Sequence, residues 1–291
     1  MFSGTFTALV TPFRNDQLDE EAFSQLVEAQ VAGGITGIVP VGTTGESPTL
    51  THDEHLRVIE LAVQFAKGRT MVIAGTGSNC TREAIEYTQA AEQLGADAAL
   101  LVAPYYNKPT QEGLYRHYRA IAESTKLPLM LYSIPGRCVI EIAVPTCVRL
   151  AKDCPNIVAI KEAGGKTERV IALRAALPRE FDILSGDDGL TVPFMKEGAV
   201  GVVSVASNII PREVCDLVAA GLSRRWDDAQ KLHDRYNDLF TNLFIEPNPA
   251  PTKQALAWQG RMTADVRLPL CELQPASQDK LRATLKALNL I

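Results

Sequence analysis

The run Ile157-Val158-Ala159-Ile160-Lys161-Glu162-Ala163 carries four successive apolar residues and then turns to charge. Continuous apolarity, in place of period-two alternation, predicts a strand covered on both faces, as the strands of parallel α/β sheets are. Working outward, similar runs rich in Val, Ile, Leu and Ala recur along the first three quarters of the chain, about eight in all at intervals of roughly 20 to 33 residues. They span 5–11, 37–42, 71–77, 98–106, 127–135, 157–163, 181–188 and 201–208. A helix-like stretch follows each. The second helix has a clear start, because Thr51-His52-Asp53-Glu54 forms a capping box ahead of Leu56, Ile59 and Val63. Each parallel pair requires a right-handed crossover, so the alternation predicts an α/β fold, a (β/α)8 TIM barrel over 1–224. No G-x-G-x-x-G follows the first strand, and a dinucleotide-binding doubly wound sheet loses its main support.

Beyond Arg224 the strand signal stops. Helical patterns over 226–243, 251–258 and 277–288 predict a C-terminal helical extension, 225–291. Between the first two lies Glu246-Pro247-Asn248-Pro249-Ala250-Pro251, too rich in proline to continue either helix.

Among 291 residues, 46% are hydrophobic and 22% charged, a globular composition that excludes disorder as the main state. Lys plus Arg number 29 against 34 Asp plus Glu, a net charge of −5. No basic field exists to hold nucleic acid or an anionic membrane. No stretch approaches the roughly 20 apolar residues of a membrane span. Met1-Phe2-Ser3-Gly4-Thr5 lacks the segments of a signal peptide, so a cytoplasmic protein is expected. The six cysteines never form a C-x-x-C pair, which reads most simply as buried free thiols.

In a barrel the chemistry sits at the carboxyl ends of the strands. Lys161 closes its run, and alternation groups it with Ile157 and Ala159 on one face. If that face is the barrel interior, desolvation lowers the ammonium pKa and frees an amine to attack a carbonyl as a Schiff-base nucleophile. The alternative is a lysine that snorkels to solvent or pairs with Glu162. Thr43, Thr44, Tyr106 and Tyr132 also stand at strand ends, where imine chemistry needs proton shuttles and a cradle for a carboxylate. Each tyrosine alone reads more simply as a packed ring with a satisfied hydroxyl. Thr43 and Thr44 lie between Gly42 and Gly45, which allow close backbone approach to a ligand. Arg137 offers either a carboxylate fork or an ordinary surface charge. Asp187-Asp188 reads as a helix N-cap more simply than as a metal site. His52 and His55 lack the H-E-x-x-H arrangement, so neither metal nor cofactor is expected.

Gly42-Thr43-Thr44-Gly45-Glu46, Tyr132-x-x-Pro135-x-Arg137, Ile160-Lys161-Glu162-Ala163, Ser185-Gly186-Asp187-Asp188 and Asn248-Pro249-x-Pro251-x-Lys253 occur in one order along the whole chain. In these motifs the sequence resembles the dihydrodipicolinate synthase family of pyruvate-dependent class I aldolases. The resemblance implies an imine between Lys161 and pyruvate, condensation with L-aspartate 4-semialdehyde to 4-hydroxy-tetrahydrodipicolinate, and entry into lysine and diaminopimelate biosynthesis. It implies a proton relay of Thr43, Tyr106 and Tyr132, with Tyr106 crossing a dimer interface of a homotetramer. It implies substrate contacts from Thr44, Arg137, Gly186 and Val203. By the same resemblance Ser47, Pro48, His52, His55, Asn79, Glu83 and Tyr105 match an inhibitory L-lysine site. Ser133, Cys138 and Val139 depart from the Asn, Thr and Gly more usual around the Pro-x-Arg element, and Pro48 from a small residue. Two other readings stand beside it. A related aldolase of sugar acids generally lacks the arginine found here as Arg137, and a silent paralogue has no need of both nucleophile and relay.

Overall fold

The computed structural model describes residues 1–291. Eight parallel strands close into a barrel in the order β1-β10-β9-β8-β7-β6-β5-β4. They are β1 (Gly4–Ala8), β4 (Gly37–Val39), β5 (Met71–Gly75), β6 (Ala98–Val102), β7 (Leu129–Ser133), β8 (Ile157–Glu162), β9 (Asp182–Ser185) and β10 (Gly201–Ser204). Every strand begins close to where the apolar runs place it, and most end several residues sooner. The predicted 98–106 run, for example, leaves the ladder after Val102, and Tyr106 has a left-handed φ of 72°. Apolarity continues past the ladder because the loop roots are packed as tightly as the strands.

The remaining two strands, β2 (Phe13–Arg14) and β3 (Gln17–Leu18), form a small antiparallel hairpin that the apolar pattern does not announce. Its signal is the Asn15-Asp16 pair, both left-handed at φ 51° and 63°, which suits the two-residue turn of a hairpin.

The crossovers are α1 (Glu20–Gly33), α2 (His52–Ala66), α3 (Thr81–Leu94), α4 (Gln111–Glu123), the short α5 (Pro135–Cys138) with α6 (Val144–Asp153), α7 (Thr167–Ala176), α8 (Thr191–Lys196) and α9 (Pro211–Leu222). The capping box of α2 is present in both directions. Thr51 Oγ accepts from the Glu54 N–H at 3.2 Å, and the Glu54 carboxylate accepts from the Thr51 N–H at 2.9 Å. At the closing seam, Gly4 and Gly201 pair, and a Cβ on Gly201 would stand 1.9 Å from the Gly4 carbonyl oxygen. Only glycine lets the two backbones approach so closely.

Three C-terminal helices follow, α10 (Trp226–Asn242), α11 (Ala250–Trp258) and α12 (Pro275–Ala287). α10 packs on α9, and α12 rests on both α10 and α11. Leu239, Phe240, Leu281 and Leu285 belong to the same buried cluster as the barrel residues Phe6, Ile160 and Val203. No helix is long and apolar enough to cross a membrane.

Candidate active site

Lys161 stands on β8 beside Tyr132 of β7 and Leu184 of β9 in the strand register. Laterally paired residues of parallel strands share a face, and the Lys161 amine accordingly lies 4.2 Å from the centroid of the Tyr132 ring. The lysine is 5% exposed. Burial pulls its pKa down to about 7, with Asp188 pulling upward and Arg137 adding to the depression. Snorkelling is thereby excluded, and so is pairing with Glu162. That neighbour points to the opposite face, where its buried carboxylate accepts from Arg169 Nε at 2.9 Å and from the Gly164 N–H at 2.7 Å. At Gly186 a Cβ would meet Lys161 Cε at 3.0 Å and the Ala163 Cβ at 2.7 Å. The glycine leaves room for the lysine chain. Val203 is buried on β10.

At the carboxyl ends of the strands a cavity of about 250 Å³ is lined by Thr43, Tyr132, Ile134, Arg137 and Cys138 among others, while Lys161, Thr44, Gly186 and Val203 do not line it. Tyr132 is buried, and burial holds its phenol well above the ordinary range while Arg137 and the Thr43 side chain draw it back. The 42–46 turn is held from three sides. The Thr11 hydroxyl donates to the Gly45 carbonyl at 2.7 Å, and the turn closes on itself through Glu46 N–H to Thr43 O at 3.1 Å. Glu46, left-handed at φ 55°, sends its buried carboxylate to the Lys253 ammonium and to the Arg267 N–H. Thr44 Oγ accepts from Asn248 Nδ2 at 2.9 Å, and Arg137 Nη2 donates to the Asn248 carbonyl at 3.4 Å.

Tyr106 stands apart from this group. It is 89% exposed and does not line the cavity. Asp187 caps a short turn through the Gly189 N–H at 2.9 Å, as the cap reading expects. Asp188 instead turns inward, where it accepts from the Ser204 hydroxyl and from the Val205 and Ala206 N–H groups at 2.9 Å.

Ser47, Pro48 and Tyr105 line the same cavity. His55 is buried with Nε2 2.9 Å from the Gly75 carbonyl, and burial lowers its pKa to about 4. Tyr87 stacks on both His55 and His52, at centroid distances of 4.1 and 4.9 Å. The Ser78 hydroxyl donates to Glu83, and the Asn79 amide donates to the Tyr105 carbonyl at 3.2 Å.

A sequence profile described as the Dihydrodipicolinate synthetase family matches residues 1–288. The chain belongs to that family. A 4-hydroxy-tetrahydrodipicolinate synthase of Geotalea daltonii is 50% identical over 291 residues, covering 100% of both chains. The structure of the corresponding synthase from Methylacidiphilum fumariolicum superposes with a TM-score of 0.97 at 53% identity, over 98% of this chain and 95% of that one. Two further dihydrodipicolinate synthase structures carry ligands. The Acinetobacter baumannii synthase, 45% identical with a TM-score of 0.98 and full coverage of both chains (100% each), is complexed with pyruvate. The Cyanidioschyzon merolae synthase, 41% identical with a TM-score of 0.97 over 100% of this chain and 99% of that one, has lysine bound.

Within this dihydrodipicolinate synthase fold, the departures around the Pro-x-Arg element are local. Ser133 is buried, with Oγ 3.4 Å from the Ile142 N–H. Cys138 faces the cavity, its thiol pushed up to about 11 by burial. Cys147 and Cys154 are buried as well, but Cys80 and Cys271 are exposed, against the expectation of buried thiols, because they stand in surface segments outside the barrel core. Val139 ends α5 at φ 68°, a left-handed conformation that costs a non-glycine residue roughly 1–2 kcal/mol. Tyr87, the inward turn of Asp188 and the Glu162–Arg169 pair escape a reading of the sequence. Their partners come from other elements, and no local spacing marks them.

Proposed function

We propose that the chain performs its 4-hydroxy-tetrahydrodipicolinate synthase reaction, a step of lysine biosynthesis, through a covalent imine on Lys161. The observation that carries this reading is the buried Lys161 amine, free of any carboxylate partner, drawn down to about 7 and held beside the Tyr132 ring. A neutral amine is the form that attacks.

The Lys161 amine adds to the keto carbon of pyruvate, and the carbinolamine loses water to give the imine. Loss of a proton from the methyl carbon gives an enamine, whose carbon bonds to the aldehyde carbon of L-aspartate 4-semialdehyde. The amino group of that substrate then adds to the imine carbon. The bond to Lys161 breaks, which restores the amine and releases 4-hydroxy-tetrahydrodipicolinate. The imine is itself the electron sink, so the scheme calls for no cofactor.

Tyr132 gives and takes the protons of these steps, linked outward through Thr43. Its high pKa keeps it a phenol between transfers. Thr44 holds the pyruvate carboxylate, Gly186 and Val203 shape the space around the imine, and the Arg137 fork takes the carboxylate of the aldehyde substrate. Tyr106, exposed in a single chain, completes the relay of a neighbouring subunit across a dimer interface, two such dimers forming a tetramer in the cytoplasm. L-Lysine binds among Ser47, His52, His55, Asn79, Glu83 and Tyr105, where the Glu83 carboxylate suits a positively charged amino group.

The test is mass spectrometry of the intact protein after incubation with pyruvate and borohydride, followed by peptide mapping. A pyruvate-derived mass increase on Lys161 is expected. An adduct on another lysine, or none on folded protein, would overturn the scheme.

A further inference from the structure

Asn248 lies outside the barrel strands, in the segment just ahead of α11, yet it touches two groups at the barrel mouth. It is buried. Its Nδ2 donates to Thr44 Oγ at 2.9 Å, its carbonyl accepts from Arg137 Nη2 at 3.4 Å, and its Oδ1 accepts from the Thr252 hydroxyl at 3.2 Å. An amide nitrogen only donates, whereas a hydroxyl has one proton and two acceptor positions. Thr44 Oγ is therefore the acceptor in this contact. Its own proton remains for another acceptor.

Both members of the contact are fixed by one buried ion pair. Glu46, two residues after Thr44, pairs with Lys253, which stands in the first turns of α11 close behind Asn248. Lys253 also donates to the Asp265 carbonyl at 2.8 Å, and Glu46 also accepts from the Arg267 N–H at 3.1 Å. The pair ties the turn after β4 to the C-terminal helices by direct contact.

We infer that Asn248 is a positioning residue for the keto-acid carboxylate: by donating to Thr44 it directs the Thr44 proton at the substrate, and the Glu46–Lys253 pair keeps donor and acceptor in register. The inference rests on the reading of Thr44 as a carboxylate ligand. An aspartate at 248 would reverse the polarity of the contact. Its carboxylate would accept the Thr44 proton and set a like charge beside the substrate's own.

Borohydride trapping titrated with pyruvate tests this, run on Asn248→Ala, Asn248→Asp and Thr44→Val beside steady-state kinetics and thermal melting. Asn248→Ala is expected to raise the half-saturating pyruvate concentration about three- to tenfold, the range of one hydrogen bond. The near-isosteric Asn248→Asp should raise it further. The extent of trapping at saturation and KM for the aldehyde should stay near wild type, because Arg137 meets only the backbone of residue 248. A merely structural role would instead lower the melting temperature and shift both substrates alike, and that result overturns the inference. So does wild-type pyruvate affinity in both Asn248 variants while Thr44→Val is weakened. If Thr44→Val itself binds pyruvate normally, the reading of Thr44 fails and the inference fails with it. Should Asn248→Ala not fold, the aspartate variant reads the same contact.

Discussion

Two buried lysines, one inside the barrel and one on the C-terminal helix α11, show what burial does and what it leaves undecided. Each ammonium lies 4.2 Å from the centre of an aromatic ring, Lys161 over Tyr132 and Lys253 over Phe13. Burial pulls both below the ordinary lysine range. The difference is in their partners. Lys253 meets a carboxylate and a carbonyl, so its proton is engaged and its role is to hold Glu46. Lys161 has neither an ion pair nor a hydrogen bond, and the Tyr132 ring it lies against is part of the cavity wall. A buried amine without a partner is inclined to lose its proton and react, whereas a paired one is a structural fastening.

The sharpest way to break this comparison is to remove each amine in turn. Lys161→Ala should lower turnover by at least about 10⁴-fold, as loss of a covalent nucleophile does, with trapping abolished. Trapping that moved to Lys253 would erase the distinction. Lys253→Met leaves Glu46 as an unpaired buried charge and should destabilise the fold by about 3–5 kcal/mol in urea denaturation. The double variant Glu46→Gln with Lys253→Met should recover most of that loss. If it does not, the pair matters for its packing and not for its charge.

Smaller effects sharpen the contrast through pH. The rate of imine formation should fall about tenfold per unit below pH 7, where Lys161 is protonated, and level off above it. A rise continuing to pH 10 would put the amine back in its ordinary range. Stability should show the same group in reverse. Between about 7 and 10.5 the unfolded chain binds a proton that the folded one lacks, so the Lys161 penalty is full below pH 7 and fades as pH rises to 10.5. Lys161→Met should therefore be more stable than wild type by about 1–3 kcal/mol at pH 6, with the gap closing toward pH 10. A gap independent of pH would mean that methionine merely packs better.

The barrel was legible because eight apolar runs follow one rule, and a strand covered on both faces has little freedom in composition. Lys161 was legible for the same reason, because no other Lys or Arg lies within any of the eight proposed strands. The hairpin over Phe13–Leu18 was not, because its strands are two residues each and the only signal is the Asn15-Asp16 turn. The run ends were overestimated because packing continues past the last ladder hydrogen bond. Asn248 was visible only as part of a motif. That it reaches Thr44 depends on how α10 and α11 lie against the barrel, which no local pattern records.

The order of the eight barrel strands and the helices between them, and the position of the lysine in its strand, were thus determined by sequence alone, since periodicity acts over a few residues. Only the tertiary structure decided which face of β8 is interior, that Glu162 turns away to Arg169, that Asp188 leaves its cap to hold the loop after β10, and that Lys253 meets Glu46. Those outcomes depend on which side chains lose water together, and desolvation is a property of the packed molecule and not of any segment in it.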